Sequence, residues 1–283
     1  MTLPIPSSVA STDGVQLAVH DLGGHGRPLL VSHATGFHGR CYLPMAAALA
    51  DRFHSVAFDY RGHGDTSRPE GPVVWDRYGD DAVAMGRAMR EAAGEPVPAF
   101  GHSMGGACLL MAAHREPGLF SRIVVFEPIV FPPAGIRPQG DESPLAAGAR
   151  RRRATFPSYE AAIANYAAKP PLMGFTSEAL DAYVRYGFAE GADGQVHLKC
   201  RPETEAETFE GGGAHTTWDV LPEIDTPVLV VAGVVQPMQP SSIAAGVAER
   251  LPGATYRELP EFDHFAPMTH PAEMAELVAA FLA

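Results

Sequence analysis

Cysteine is scarce: Cys41, Cys108 and Cys200 are the only three in 283 residues, an odd number with no C-x-x-C spacing. This excludes a disulfide framework and gives no zinc or other metal signature, so the three read as free, buried thiols. Positive charge is in deficit too. With 21 Lys and Arg against 33 Asp and Glu, the formal charge is -12, whereas a nucleic-acid partner needs clustered cations to displace counterions from phosphates. The one basic run, Arg150 to Arg153, reads as the solvated face of a helix. Long apolar runs are missing as well: nowhere do about 18 apolar residues follow one another, and Met1 to Val19 has no basic region followed by an apolar one. The expectation is a cytoplasmic protein with no nucleic-acid or membrane partner; nothing in the sequence bears on oligomeric state.

What is present is a large core. The chain is 46% hydrophobic, and its front half alternates short apolar runs with amphipathic segments, the pattern of an α/β sheet. Strands are expected over Val15 to Asp21, Pro28 to Ser32, Ser55 to Asp59, Pro98 to Gly101 and Ile123 to Phe126, and helices over Tyr42 to Ala50, Trp75 to Ala93 and Met104 to His114. From Pro132 to Thr216 the alternation stops. Helical stretches remain near Tyr159 to Ala168 and Ser177 to Phe188, with no strand-like apolar run, so this part reads as a helical insertion. Strands over Pro227 to Ala232 and Thr255 to Leu259, with helices over Ser241 to Leu251 and Pro271 to Leu282, then complete the same sheet. The domain reading is therefore a core formed by 1–131 and 217–283, interrupted by 132–216. The Gly211 to Gly213 run reads as a hinge, because no strand precedes it as a phosphate loop requires.

The strongest chemical signal is Gly101-His102-Ser103-Met104-Gly105, a G-x-S-x-G motif between an expected strand and an expected helix. A sharp turn there forces the serine into strained backbone and presents its hydroxyl above the sheet. A serine hydroxyl is a poor nucleophile at neutral pH and needs a neutral imidazole to take its proton. Of twelve histidines, His264 alone lies after the last expected strand and before the closing helix, where a loop returns to the carboxyl edge of the sheet.

The chain resembles the α/β-hydrolase superfamily along essentially its whole length. Asp59-Tyr60-Arg61-Gly62-His63-Gly64-Asp65-Thr66-Ser67 is similar to the family's D-x-R-G-x-G-x-S stretch, His33-Ala34-Thr35-Gly36 to its H-G-x oxyanion loop, and Asp263-His264-Phe265-Ala266-Pro267 to its late G-H-F-x-P segment. The resemblance implies a mostly parallel eight-stranded sheet flanked by helices, with the insertion as a helical cap. It also implies Ser103 and His264 as catalytic residues, with no cofactor. One element departs from the family pattern. Many relatives carry their acid after the strand placed at Pro227 to Ala232, but here Gln236 stands in that loop and cannot supply a charge. Glu127, directly after Ile123 to Phe126, matches the glutamate of certain haloalkane dehalogenases and a zearalenone-type lactonase, which makes it the expected third member; Asp263, Asp225 and Asp219 are weaker alternatives.

For the oxyanion, the motif points to the N–H of Met104 at the helix start. The loop after His33 supplies Thr35 as the second donor, with Phe37 as runner-up. His33 and His63 are assigned to structural hydrogen bonding. In the insertion, Met173, Phe175, Tyr183, Tyr186 and Phe188 are either pocket lining or plain packing. Serine rather than aspartate at 103 argues against dehalogenase and epoxide hydrolase chemistry. The expectation is a hydrolase of a carboxylic ester or lactone acting on a small, hydrophobic acyl substrate. Alternatives are a carbon-carbon bond hydrolase, a thioesterase, or a binding protein on a hydrolase scaffold.

Overall fold

The structure, a computed structural model, describes residues 4–133 and 143–283; residues 134–142 at the start of the expected insertion lie outside the described residues. Eight strands form one sheet: β1 (Ser8–Ala10), β2 (Gln16–Gly23), β3 (Arg27–Ser32), β4 (Phe53–Phe58), β5 (Val97–His102), β6 (Phe120–Phe126), β10 (Val228–Ala232) and β11 (Thr255–Glu258). Their order is β1-β2-β4-β3-β5-β6-β10-β11. The β1-β2 and β2-β4 pairs are antiparallel and every later pair is parallel.

Both faces of this sheet are covered, which is why its inner strands carry consecutive apolar residues, Leu29 to Val31 and Ile123 to Phe126 among them, rather than an alternating pattern. Leu29, Val31, Phe100, Val124 and Phe126 point into one core layer with α1 (Leu43–Leu49) and α11 (Pro271–Leu282). Leu30, Ala99, Ile123 and Val125 point into the other, with α2 (Trp75–Ala93), α3 (Met104–Arg115) and α9 (Ser241–Arg250). Each large side chain so buried contributes about 1.5–3 kcal/mol. The chain leaves β3 toward β4 on one side, and β5 then pairs on the other side of β3. Strand order therefore reverses between β3 and β5, and the crevice above their carboxyl ends is where such sheets place ligands.

Between β6 and α8 (Thr217–Val220) lie α4 (Pro144–Arg150), β7 (Thr155–Phe156), α5 (Tyr159–Ala167), α6 (Ser177–Gly187), β8 (Phe188–Glu190), β9 (Val196–Leu198) and α7 (Pro202–Gly211). This corrects the expectation of an insertion without strands: β7, β9 and β8 form a small antiparallel sheet. Each strand has two or three residues and buries only one or two apolar side chains, Phe156, Phe188, Val196 and Leu198 among them; that is too short for period-two alternation to show. A second correction concerns the basic run. The helix ends at Arg150, which pairs at the surface with Glu203 and Glu210, and the turn toward β7 directs Arg152 inward while Arg151 and Arg153 stay exposed. The insertion is fastened to the core by the Trp75 indole N–H donating to the Thr208 carbonyl (2.8 Å) and by the Arg68–Glu207 and Lys199–Asp65 ion pairs. The last short helix of the chain before α11 is α10 (Ala266–Thr269). Among the described residues no helix is long and apolar enough to cross a membrane.

Candidate active site

Ser103 sits between β5 and α3 with φ 54° and ψ -115°, a left-handed backbone that costs about 1–3 kcal/mol. The turn closes only because residue 105 has no side chain: a Cβ on Gly105 would lie 2.2 Å from the Ser32 carbonyl oxygen. The Ser103 N–H donates to the Phe126 carbonyl (2.9 Å), and the Ser103 carbonyl accepts from Ile129 N–H (3.3 Å). The elbow is thus tied to the end of the neighbouring strand. Ser103 keeps 6% of its surface exposed.

Glu127, one residue past β6, is also left-handed, at φ 46°. Its Oε1 accepts from Gly233 N–H (2.8 Å) and its Oε2 from His264 Nδ1 (2.6 Å). The loop carrying Gly233 passes so close that a Cβ there would meet the Phe262 carbonyl oxygen at 2.4 Å. Because Nδ1 donates to the carboxylate, the lone pair of neutral His264 lies on Nε2, the nitrogen a general base uses. The His264 side chain is 24% exposed, and its ring packs on His102 (4.8 Å) and Phe265 (5.5 Å). No hydrogen bond joins Ser103 Oγ to His264 among the described residues; such contacts commonly tighten only with substrate bound. The other acidic candidates stand apart from His264 Nδ1: Asp263 accepts from Phe265 N–H (2.9 Å), and Asp219 and Asp225 are exposed, as is the neutral Gln236.

The loop after β3, the candidate oxyanion loop, is braced by histidines. Tyr60 N–H donates to His33 Nε2 (2.9 Å), so the ring proton is on Nδ1, which donates to the Ala34 carbonyl (2.8 Å). Burial holds His33 neutral, its pKa lowered to about 3. His63 donates through Nδ1 to the Arg61 carbonyl (3.2 Å) and leaves Nε2 buried without a partner. The Phe37 N–H is used within the loop, on the Ala34 carbonyl (3.1 Å), whereas the Thr35 N–H has no acceptor among the described residues. Met104 opens α3, so its N–H has no intrahelical carbonyl to meet. Asp59 is fully engaged, accepting from His20 Nε2 (2.8 Å), Gly39 N–H (2.7 Å) and Asp65 N–H (2.7 Å). It pins the D-x-R-G-x-G loop and has little left to offer a metal.

Sequence reasoning missed a directed chain of hydrogen bonds. His102 must donate through Nε2 to the His264 carbonyl (2.8 Å), which leaves Nδ1 to accept from the Tyr42 hydroxyl (2.9 Å); that oxygen in turn accepts from Ala34 N–H (3.2 Å). Burial keeps His102 well below the ordinary histidine range and hence neutral. The chain links the loop after His33 to the loop of His264, behind Ser103. The only sequence signal for it was the position of His102 inside the motif.

Of the insertion side chains read as pocket or packing, Phe175 and Tyr183 reach the site. Their rings stand 6.1 and 5.3 Å from Phe37, which also meets Phe265 at 6.2 Å. Phe188 packs inside the insertion against Phe156, Tyr186 lies under Arg40 at the surface, and Met173 is 59% exposed.

A profile described as the alpha/beta hydrolase family matches residues 29–277. The chain belongs to that family. It is 24% identical over 264 residues to the 2-(acetamidomethylene)succinate hydrolase of Mesorhizobium japonicum, covering 92% of this chain and 89% of the relative. The crystal structure of E-2-(acetamidomethylene)succinate hydrolase superposes with TM-score 0.77 at 21% identity, over 98% of each chain. The enol-lactonase of Burkholderia xenovorans superposes with TM-score 0.70 at 21% identity, over 97% of this chain and 99% of that one. As a member of the family, the protein is a hydrolase.

Two predictions follow from the buried polar groups. Tyr42→Phe strands both the Ala34 N–H and His102 Nδ1, and should lower unfolding free energy by about 1–3 kcal/mol in urea titrations. Tyr186→Phe, at an exposed ring, should change it far less; equal effects would contradict the chain. Burial also lowers His38, to about 4. Because His33 and His38 have folded values below the unfolded value of about 6.5, their contribution is complete above that pH and is lost as pH falls toward 4. Stability should therefore drop between about pH 7 and pH 5, and a constant urea midpoint across that window would refute this.

Proposed function

We propose that the protein hydrolyses a carboxylic ester or lactone through an acyl-enzyme on Ser103. The observation that carries this reading is the 2.6 Å hydrogen bond from His264 Nδ1 to the buried Glu127, beside a serine held in the strained elbow. His264 Nε2 removes the Ser103 proton as Oγ attacks the acyl carbon. Glu127 keeps the imidazole in the donating tautomer and stabilises the imidazolium that forms. The oxyanion is received by the N–H groups of Met104 and Thr35, each worth roughly 3 kcal/mol at the transition state. The imidazolium then gives its proton to the departing alcohol oxygen. In a second cycle a water loses its proton to His264, attacks the acyl carbon and releases the acid, restoring Ser103.

The insertion acts as a cap in this reading. Phe37, Phe175 and Phe265 form an apolar cluster against the rings of His102 and His264, which suits a hydrophobic acyl group. The names of the relatives agree with acyl transfer to water on this scaffold, since one is a hydrolase of an acetamido compound and another an enol-lactonase.

A short-chain p-nitrophenyl ester should give a burst of p-nitrophenol that Ser103→Ala abolishes. Glu127→Gln should reduce turnover by several orders of magnitude, while Gln236→Ala has a small effect. The reverse ranking would move the acid to the loop after β10.

A further inference from the structure

Arg152 is turned into the protein, with 17% of its side-chain surface left accessible. Its Nη1 donates to Glu205 at 2.5 Å, and its Nη2 donates to the hydroxyls of Tyr166 and Tyr183. The place of this cluster is set by two contacts. Glu205 Oε1 lies against the oxyanion loop, 2.3 Å from where a Cβ on Gly36 would stand, and the Tyr183 ring faces Phe37 at 5.3 Å. The cluster therefore adjoins the loop that carries Thr35 and the Phe37 ring.

Counting protons shows what it offers. Both tyrosine oxygens accept from the guanidinium, so each keeps its own O–H to donate; Arg152 keeps the N–H on Nε and one on Nη1. None of these four donors has an acceptor among the described residues. Glu205 already balances the charge of Arg152, so the cluster is selective through unused donors rather than through net charge. A carboxylate presents about four lone-pair sites on two oxygens, and hydrogen bonds to a charged acceptor are the stronger kind. A guanidinium donating into a phenol oxygen also strengthens that phenol as a donor.

We propose that Arg152, Tyr166 and Tyr183 bind a carboxylate at the far end of the substrate's acyl chain, so that the natural substrate is an ester or lactone of a dicarboxylic acid. This rests on the ester-hydrolase reading and adds the class of substrate to it.

The test compares mono-p-nitrophenyl glutarate with its methyl ester, which carries the same p-nitrophenyl ester but has the terminal carboxylate masked by a methyl group, with p-nitrophenol release as the readout. The wild type should favour the free acid by about tenfold or more in kcat/KM. Tyr183→Phe keeps the ring on Phe37 and loses only the hydroxyl, and it should collapse that preference. So should the double variant Arg152→Gln with Glu205→Gln, in which no buried charge is left unpaired. If the double variant fails to fold, Tyr166→Phe with Tyr183→Phe gives the same reading. Equal use of both esters by the wild type, or a preference that survives these substitutions, overturns the carboxylate site and leaves ester hydrolysis standing. Hydrolysis of neither ester, with no burst, removes the ester reading and the inference together.

Discussion

Two adjacent strand ends are bolted to each other, and the candidate site depends on that joint. The Ser103 N–H reaches the Phe126 carbonyl, and the Ile129 N–H returns to the Ser103 carbonyl. Between these bonds the backbone turns left-handed at Ser103 and again at Glu127. Two such residues cost about 1–3 kcal/mol each, and they persist because the strands beneath are buried on both faces. If either turn relaxed, the hydroxyl or the carboxylate would leave the rim. The sheet thus holds two strained turns side by side at the switch point, where a third loop brings His264 across.

Around this joint lies a shell of histidines kept neutral by burial. His33 and His102 each have a tautomer fixed by an obligatory partner, a backbone N–H in one case and a carbonyl in the other. Neutral rings can be packed close to His264 without opposing the imidazolium that the proposed mechanism forms there. They also give the loops direction, since each hydrogen bond in the Ala34–Tyr42–His102–His264 chain has one allowed sense. A positioned base needs such support more than it needs further charge.

The core was legible because its signals are local: fully apolar runs mark strands covered on both faces, and the G-x-S-x-G turn falls where one of them ends. Glu127 was reached by resemblance and by the failure of Gln236, not by any pattern of its own, since one glutamate after a strand looks like many others. The insertion was harder to read. Its strands of two or three residues lack a period, so the β7-β9-β8 sheet was missed, and a run of four arginines gave no sign that a helix end at Arg150 would send the third of them inward. The tyrosines that meet Arg152 come from α5 and α6, brought together only by tertiary packing. The Tyr42 to His264 chain likewise spans four separate segments, which sequence spacing does not reveal.

The central claim is that Ser103 is a nucleophile activated by His264. Labelling with a fluorophosphonate followed by peptide mapping tests it most directly, because the reagent reports activation without requiring the natural substrate. The account predicts a single adduct on the peptide containing Ser103, formed rapidly in the wild type and far more slowly in His264→Ala. An adduct on another residue, or labelling of Ser103 that is equally fast without His264, would contradict it.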